Sequence, residues 1–266
     1  MKLFGIGVIS SLLLALTIAP KVEAFEFPKI TPDPDAPSYL FFDGEPFTFV
    51  KRGETTNGQY TLRETMVPPG KGAFPHIHQD DDEWLYVEEG VLRIFLGENI
   101  YDDVSLIPGV NAPKDILHAY DAPAGTLIYT PRYRIHGVLN PTDTNAKLKV
   151  LWNPPGFEEI FKEPGLIELT DLSNVPTPPP NYPQIYAQAA GRYGLISSTA
   201  YDQFGEIVFD DFILQQDNRA DYVLQILAEG SRQVPEPSVV SSLIVLGATG
   251  AISIWKRKSK SVRKVG

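Results

Sequence analysis

From Phe47 onward the chain reads as short segments in which apolar and polar residues alternate, each closed by Gly, Pro or Asn. The segments are Tyr60–Val67, Gly72–His78, Glu83–Glu88, Val91–Leu96, Val104–Pro108, Gly125–Thr130, Ile135–Leu139 and Lys147–Asn153. A period of two is that of a strand with one buried face. Many such strands at regular spacing predict an all-β sandwich or barrel. The chain has 266 residues, enough to fill such a barrel with a real core. It has no cysteine, so disulfides and thiolate-held metals are excluded.

All four histidines fall between positions 76 and 136. His76 and His78 are two apart, so on a strand both imidazoles point to one face. Glu83 follows at the start of the next segment and can add a carboxylate; Asp81 and Asp82 beside it are the alternatives. His136 begins a later segment, which a closed barrel can bring opposite. Three neutral imidazoles and one carboxylate suit one divalent transition metal, among Fe, Mn, Co, Ni, Cu and Zn. An octahedral ion so held keeps two positions open. His118 lies between these groups and reads as a loop histidine on the outer surface; the alternative is a proton donor or acceptor near the metal. The barrel interior should be apolar and aromatic. Tyr60, Leu62 and Phe74 are candidates to line it, and Tyr86, Phe95, Tyr129 and Trp152 to contact a substrate there.

Gly70-x5-His76-x-His78-x4-Glu83-x6-Gly90 resembles the first sequence motif of the cupin superfamily in every element, and Gly125-x5-Pro131-x4-His136-x3-Asn140 resembles the second. One position departs. Tyr133 stands where the family usually has a glycine in a left-handed turn, a conformation that costs a side-chain-bearing residue about 1–2 kcal/mol. The resemblance spans Tyr60–Asn153. It implies a jelly-roll-like cupin β-barrel over 46–165, with His76, His78, Glu83 and His136 as metal ligands. The segment Asn153-Pro-Pro-Gly-Phe-Glu is similar to the single-domain, quercetin-dioxygenase-like cupins. That likeness implies oxidative chemistry on a small phenolic or enolisable compound, with Glu83 as both ligand and catalytic base. A metal-dependent isomerase, epimerase or lyase of envelope sugars, and a non-catalytic binding module at the cell surface, are the other readings. Cupins often pair through outer strands, so a homodimer is the oligomer this resemblance suggests.

Around the barrel, 25–45 reads as an extended, proline-rich arm. Residues 166–232 read as a linker, with Val175–Pro183 (VPTPPPNYP) at its centre, and peripheral helices near Gln184–Arg192 and Arg219–Glu229. Residues 1–24 have the basic start, apolar run and small-residue site of a signal peptide. Residues 233–266 hold Val-Pro-Glu-Pro, an uncharged stretch over 238–255 long enough for a membrane helix, and then a basic cluster. This order resembles the PEP-CTERM sorting tail of bacteria. It implies export, passage through the membrane by that tail, and processing by an exosortase-type protease. Between 25 and 237 there are 15 Lys and Arg against 32 Asp and Glu, a net charge of −17. So acidic a body is repelled by nucleic acid, which is excluded as a partner.

Overall fold

The computed structural model describes residues 24–107, 115–198, 204 and 206–232. The chain divides into two units, Met1–Ser231 and Arg232–Gly266. The expected membrane helix over 238–255, the sorting motif before it, and the leader apart from Ala24 lie outside the described residues. Among the described residues no helix is long and apolar enough to cross a membrane.

Two facing sheets make up the first unit. The first contains β1 (Ser38–Leu40), β2 (Pro46–Lys51), β3 (Thr61–Val67), β5 (Asp82–Glu89), β8 (Leu127–Thr130), β10 (Ala146–Asn153) and β11 (Glu168–Leu169). Its order is β11-β1-β2-β3-β10-β5-β8. The second contains β4 (His76–His78), β6 (Val91–Ile100), β7 (Ile116–Pro123), β9 (Arg134–Leu139), β12 (Leu195–Ser197) and β13 (Glu206–Phe209), in the order β12-β4-β9-β6-β7-β13. Among the described residues all pairings are antiparallel except β7 with β13. Sequence neighbours such as β4 and β5 sit in opposite sheets, which is the crossing pattern of a jelly roll.

Side-chain alternation divides the core. Phe49, Leu85, Val87, Leu92, Ile94, Leu148 and Val150 fill the space between the sheets. Tyr60, Leu62, Trp84, Leu127, Tyr129 and Leu151 project from the other face of the first sheet. There α3 (Ala220–Gly230) covers them with Val223, Ile226 and Leu227, each contributing about 1.5–3 kcal/mol by burial. Gly230 ends that helix against Tyr60; a Cβ there would lie 2.5 Å from the Tyr60 ring. Ile77, Phe95, Leu117, Ala119 and Ile135 form a third cluster on the outer face of the second sheet. Most central strands are thus buried on both sides, more like the strands of a covered sheet than of a half-solvated one.

Several expectations need correcting at their edges. The segment expected as an arm contributes β1, and its start is tied down: Phe25 N donates to Gly125 O at 2.8 Å, while Phe25 and Phe27 pack on Tyr86. The extension beyond 165 supplies β11, β12 and β13 as well as helices. These strands have two to four residues, too few for a period-two signal. Between 104 and 108 there is a 3-10 turn over Val104–Leu106 in place of the expected strand, and β7 was not expected. Of the helices, α1 (Tyr182–Gly191) closes one end of the barrel through Tyr186, Ala189 and Ala190, and α2 (Phe212–Gln215) is a single short turn beside β7.

Candidate metal centre

His76 and His78 on β4 and His136 on β9 come from the second sheet; Glu83 on β5 comes from the first. His76 pairs directly with His136 across β4 and β9. One ligand atom from each of the four residues lies within 4.8 Å of the others. The set therefore bridges the two sheets, so its geometry depends on how they face one another.

Each histidine is oriented by its Nδ1. That of His76 lies 2.7 Å from Phe74 O, and that of His136 lies 2.9 Å from Arg134 O. The Nδ1 of His78 lies 2.8 Å from Asp81 Oδ1. This turns Nε2 toward the common point, the arrangement that outer partners impose on metal-binding imidazoles. The Nε2 atoms of His78 and His136 are buried, and neither makes a hydrogen bond of acceptable geometry. They lie 3.0 Å from Glu83 Oε2 and 3.5 Å from Glu83 Oε1. Buried polar atoms are rarely left unpaired. Two orphaned imidazole nitrogens beside a carboxylate fit a divalent metal. Asp81 and Asp82, the alternative carboxylates, have other roles: Asp81 backs His78, and Asp82 accepts from Arg132 N at 3.0 Å.

Electrostatics agree. Burial pushes the Glu83 carboxyl up, but the imidazoles of His136 and His78 outweigh it and hold the group well below the usual carboxylate range. Burial lowers His78, yet Asp81 and Glu83 on its two nitrogens raise it to about 10. His76 has no such pair; burial and then the charges of His136 and His78 hold it well below its ordinary value.

Tyr133 adopts the left-handed conformation, with φ of 64°, in spite of its side chain. Its backbone explains why the turn is kept: Tyr133 N donates to His78 O at 2.7 Å, and its carbonyl accepts from Tyr101 N at 2.6 Å. The turn ties β4 to the strand that carries His136.

A space of about 30 Å³ lies against the cluster, lined by His76, His78, Glu83, Arg63, Glu45, Trp152 and Phe157 among others. Phe41, Ala73, His76 and Leu195 also line an adjoining vestibule of about 200 Å³. Phe42, Phe74 and Tyr186 line that vestibule. Of the expected substrate contacts, the structure brings only Trp152 to this space. Its Nε1 donates to Glu83 Oε2 at 2.7 Å, and its ring stacks on Phe157 with centroids 4.0 Å apart. Tyr86 and Tyr129 stand on the outer face of the first sheet, and Phe95 on the outer face of the second. Of the other lining candidates, Phe74 is at the vestibule, whereas Tyr60 and Leu62 lie under α3.

His118 is neither on a loop nor at the surface. It is 6% exposed on β7, on the same sheet face as His136, with Leu96 of β6 in register between them. Two strand spacings, roughly 10 Å, separate it from the cluster. Glu98 and Asp210 lie 2.9 Å from its two ring nitrogens, and Phe212 stacks on it.

No family model matches the chain, and no curated protein matches it. Among solved structures it is similar to KdgF from Halomonas sp., with 15% identity over 44% of this chain and 85% of that one, at a TM-score of 0.33. TT1209 from Thermus thermophilus is 18% identical over 47% and 90%, with a TM-score of 0.29. A protein with a double-stranded β-helix domain from Klebsiella pneumoniae is 13% identical over 48% and 84%, with a TM-score of 0.31. Likenesses this partial carry no argument about activity. The chain's own strand order and three-histidine, one-glutamate cluster define a cupin-like jelly roll able to hold a metal.

Proposed function

We propose that this protein is an exported metalloenzyme of the dioxygenase-like type, acting on a small phenolic or enolisable compound. The observation that carries the reading is the pair of orphaned Nε2 atoms converging with Glu83 beside an aromatic vestibule. His76, His78, Glu83 and His136 would hold one divalent transition metal. Such an ion supplies Lewis-acid and redox chemistry and acidifies a substrate hydroxyl.

The remaining work falls to the chain's own residues. Glu83 is the proton acceptor, through Oε1, because Oε2 is engaged by Trp152 Nε1. A carboxylate held so far into its ionised form is a weak base, so it takes a proton only from an acidified hydroxyl. Trp152, Phe157 and Leu85 surround the reacting end with apolar surface and keep bulk water out. His76, half-buried at the junction with the vestibule, marks the side from which a substrate enters. The vestibule walls are half aromatic and otherwise almost wholly apolar, which favours a flat apolar substrate over a sugar with many hydroxyls to satisfy. Export and processing of the tail rest on the sequence pattern of the two ends.

The test is the metal content of the purified protein, measured by mass spectrometry beside His76→Ala. About one equivalent of Fe, Mn, Ni or Cu that disappears in the variant supports the reading, and oxygen uptake with flavonols and catechols then follows. One equivalent of zinc turns it toward non-oxidative chemistry. No metal in either protein after reconstitution overturns it.

A further inference from the structure

Arg63 projects from β3 into the barrel interior and is 6% exposed. Its Nε and Nη1 are buried without a hydrogen-bond partner. The guanidinium carbon sits 4.8 Å from the centre of the Phe41 ring, 5.0 Å from Phe47 and 5.6 Å from Trp152. Rings can hold a cation by their faces, but they leave the N–H groups in the guanidinium plane unanswered. A buried charge without its hydrogen bonds is strongly disfavoured. Folded proteins seldom keep such a group unless something else completes it.

The place of Arg63 indicates what completes it. Arg63 lines the same small space as His76, His78 and Glu83. Trp152 lies between: its ring faces Arg63, and its Nε1 holds Glu83. Phe41, on which Arg63 stacks, is shared with the vestibule. Tyr186 crosses from α1 to the same junction, 5.1 Å from Phe41 between ring centres, and its buried hydroxyl also lacks a partner. Two unsatisfied donors, one of them a cation, therefore pack on the same Phe41 ring, Arg63 from the side of the metal cluster and Tyr186 from the vestibule.

We propose that Arg63 and Tyr186 form an anion-binding subsite, and that the natural ligand is a small carboxylic acid with an apolar, ring-sized body. The carboxylate pairs with the Arg63 fork and accepts from Tyr186 Oη, while the body lies among Phe41, Phe42 and Phe74. A planar two-oxygen group matches the guanidinium edge and a space of about 30 Å³. This deepens the enzymatic reading, on which it rests only for the reacting end. The negative charge of the body as a whole does not repel such a ligand from the subsite, because at short range the guanidinium dominates, and Glu45, the buried carboxyl that shares its space, is pushed up to about 7 by burial.

The experiment is calorimetric titration of the purified protein with benzoate and, as the neutral analogue, benzamide. It is run on the metal-loaded protein and after metal has been stripped by a chelator. Benzoate should bind saturably in both states and at least tenfold more tightly than benzamide. Arg63→Met should lose at least tenfold in benzoate affinity, with benzamide unaffected, and Arg63→Lys should fall between. Metal content should be the same in wild type and Arg63→Met. Equal binding of benzoate and benzamide overturns the subsite, a result that needs no variant to fold. Benzoate binding that ignores Arg63→Met and vanishes with the metal places the anion on the ion and also overturns it. A protein that holds no metal yet binds benzoate through Arg63 sinks the metalloenzyme reading and leaves this one standing.

Discussion

Trp152 Nε1 donates a 2.7 Å hydrogen bond to Glu83 Oε2, and the two residues face each other in register across β10 and β5. The bond fixes one carboxylate oxygen and so aims the other. Its ring face is held separately, by the stack on Phe157. Trp152→Phe keeps most of the stack and removes the donor. Hydrogen bonds to charged groups contribute about 1.5–3 kcal/mol, so the metal-free variant should lose on that order in stability. Losing an outer partner of a metal ligand typically costs about 10–100-fold in affinity. Chelator competition should show metal affinity falling by at least about tenfold; unchanged affinity would mean that Glu83 does not need this support.

Tyr133 allows its backbone strain to be measured apart from its packing. Its side chain adds to the outer cluster of the second sheet, so removing it has a cost unrelated to φ. Tyr133→Ala loses the packing and keeps the strain, whereas Tyr133→Gly loses both. The glycine variant should be the more stable of the two by about 1 kcal/mol in denaturant unfolding. Equal stability would show that the turn relaxes out of the left-handed region when the tyrosine is gone.

The ligand set was legible because it is local: strand spacing puts His76 and His78 on one face, and the resemblance to the two cupin motifs selects Glu83 over Asp81 and Asp82 and adds His136. The ligand-contact set was only partly legible, and the reason differs by residue. Glu83 and Tyr86 are three apart on one strand, so period two puts them on opposite faces; the sequence already excluded Tyr86 once Glu83 faced in. Phe95 gave no such signal. Leu92, Ile94, Phe95 and Leu96 are all buried, and only the pairing of Leu96 with His136 shows which face is inside. The same double burial hid Arg63, whose neighbour Leu62 points outward as deeply as Arg63 points inward. His118 was misplaced because the Pro- and Asn-containing run before it reads as a loop that continues through β7.

That parity has a functional consequence. Phe157→Leu removes a ring that stacks on Trp152 and lies 5.5 Å from His78 between ring centres. Phe95→Leu and Tyr129→Leu change rings on outer faces. Benzoate affinity, read by the same calorimetry, should fall several-fold for Phe157→Leu and stay within about twofold for the other two. A comparable loss at Phe95 or Tyr129 would show that the ligand occupies a different space.

Glu45 makes the interior sensitive to pH. It is buried on the turn into β2, and Thr65 Oγ1 donates to it. Burial pushes its carboxyl up, and although Arg63 and Thr65 pull the other way, it comes to rest at about 7. A carboxyl raised on folding stabilises the native state while both states are protonated. As pH rises through the unfolded value of 4.5, the unfolded chain gives up its proton first, and the contribution is gone above about 7. A shift of this size corresponds to about 3 kcal/mol. Glu45→Gln keeps an acceptor for Thr65 and cannot ionise. The variant should match wild type near pH 4.5 and exceed it by up to about 3 kcal/mol at pH 8, as measured by urea unfolding across that range. Parallel curves would show that Glu45 is ionised in the folded protein throughout. Ionised Glu45 also sets a second anion near Arg63, so benzoate should bind wild type more weakly above pH 7 while its affinity for Glu45→Gln stays level.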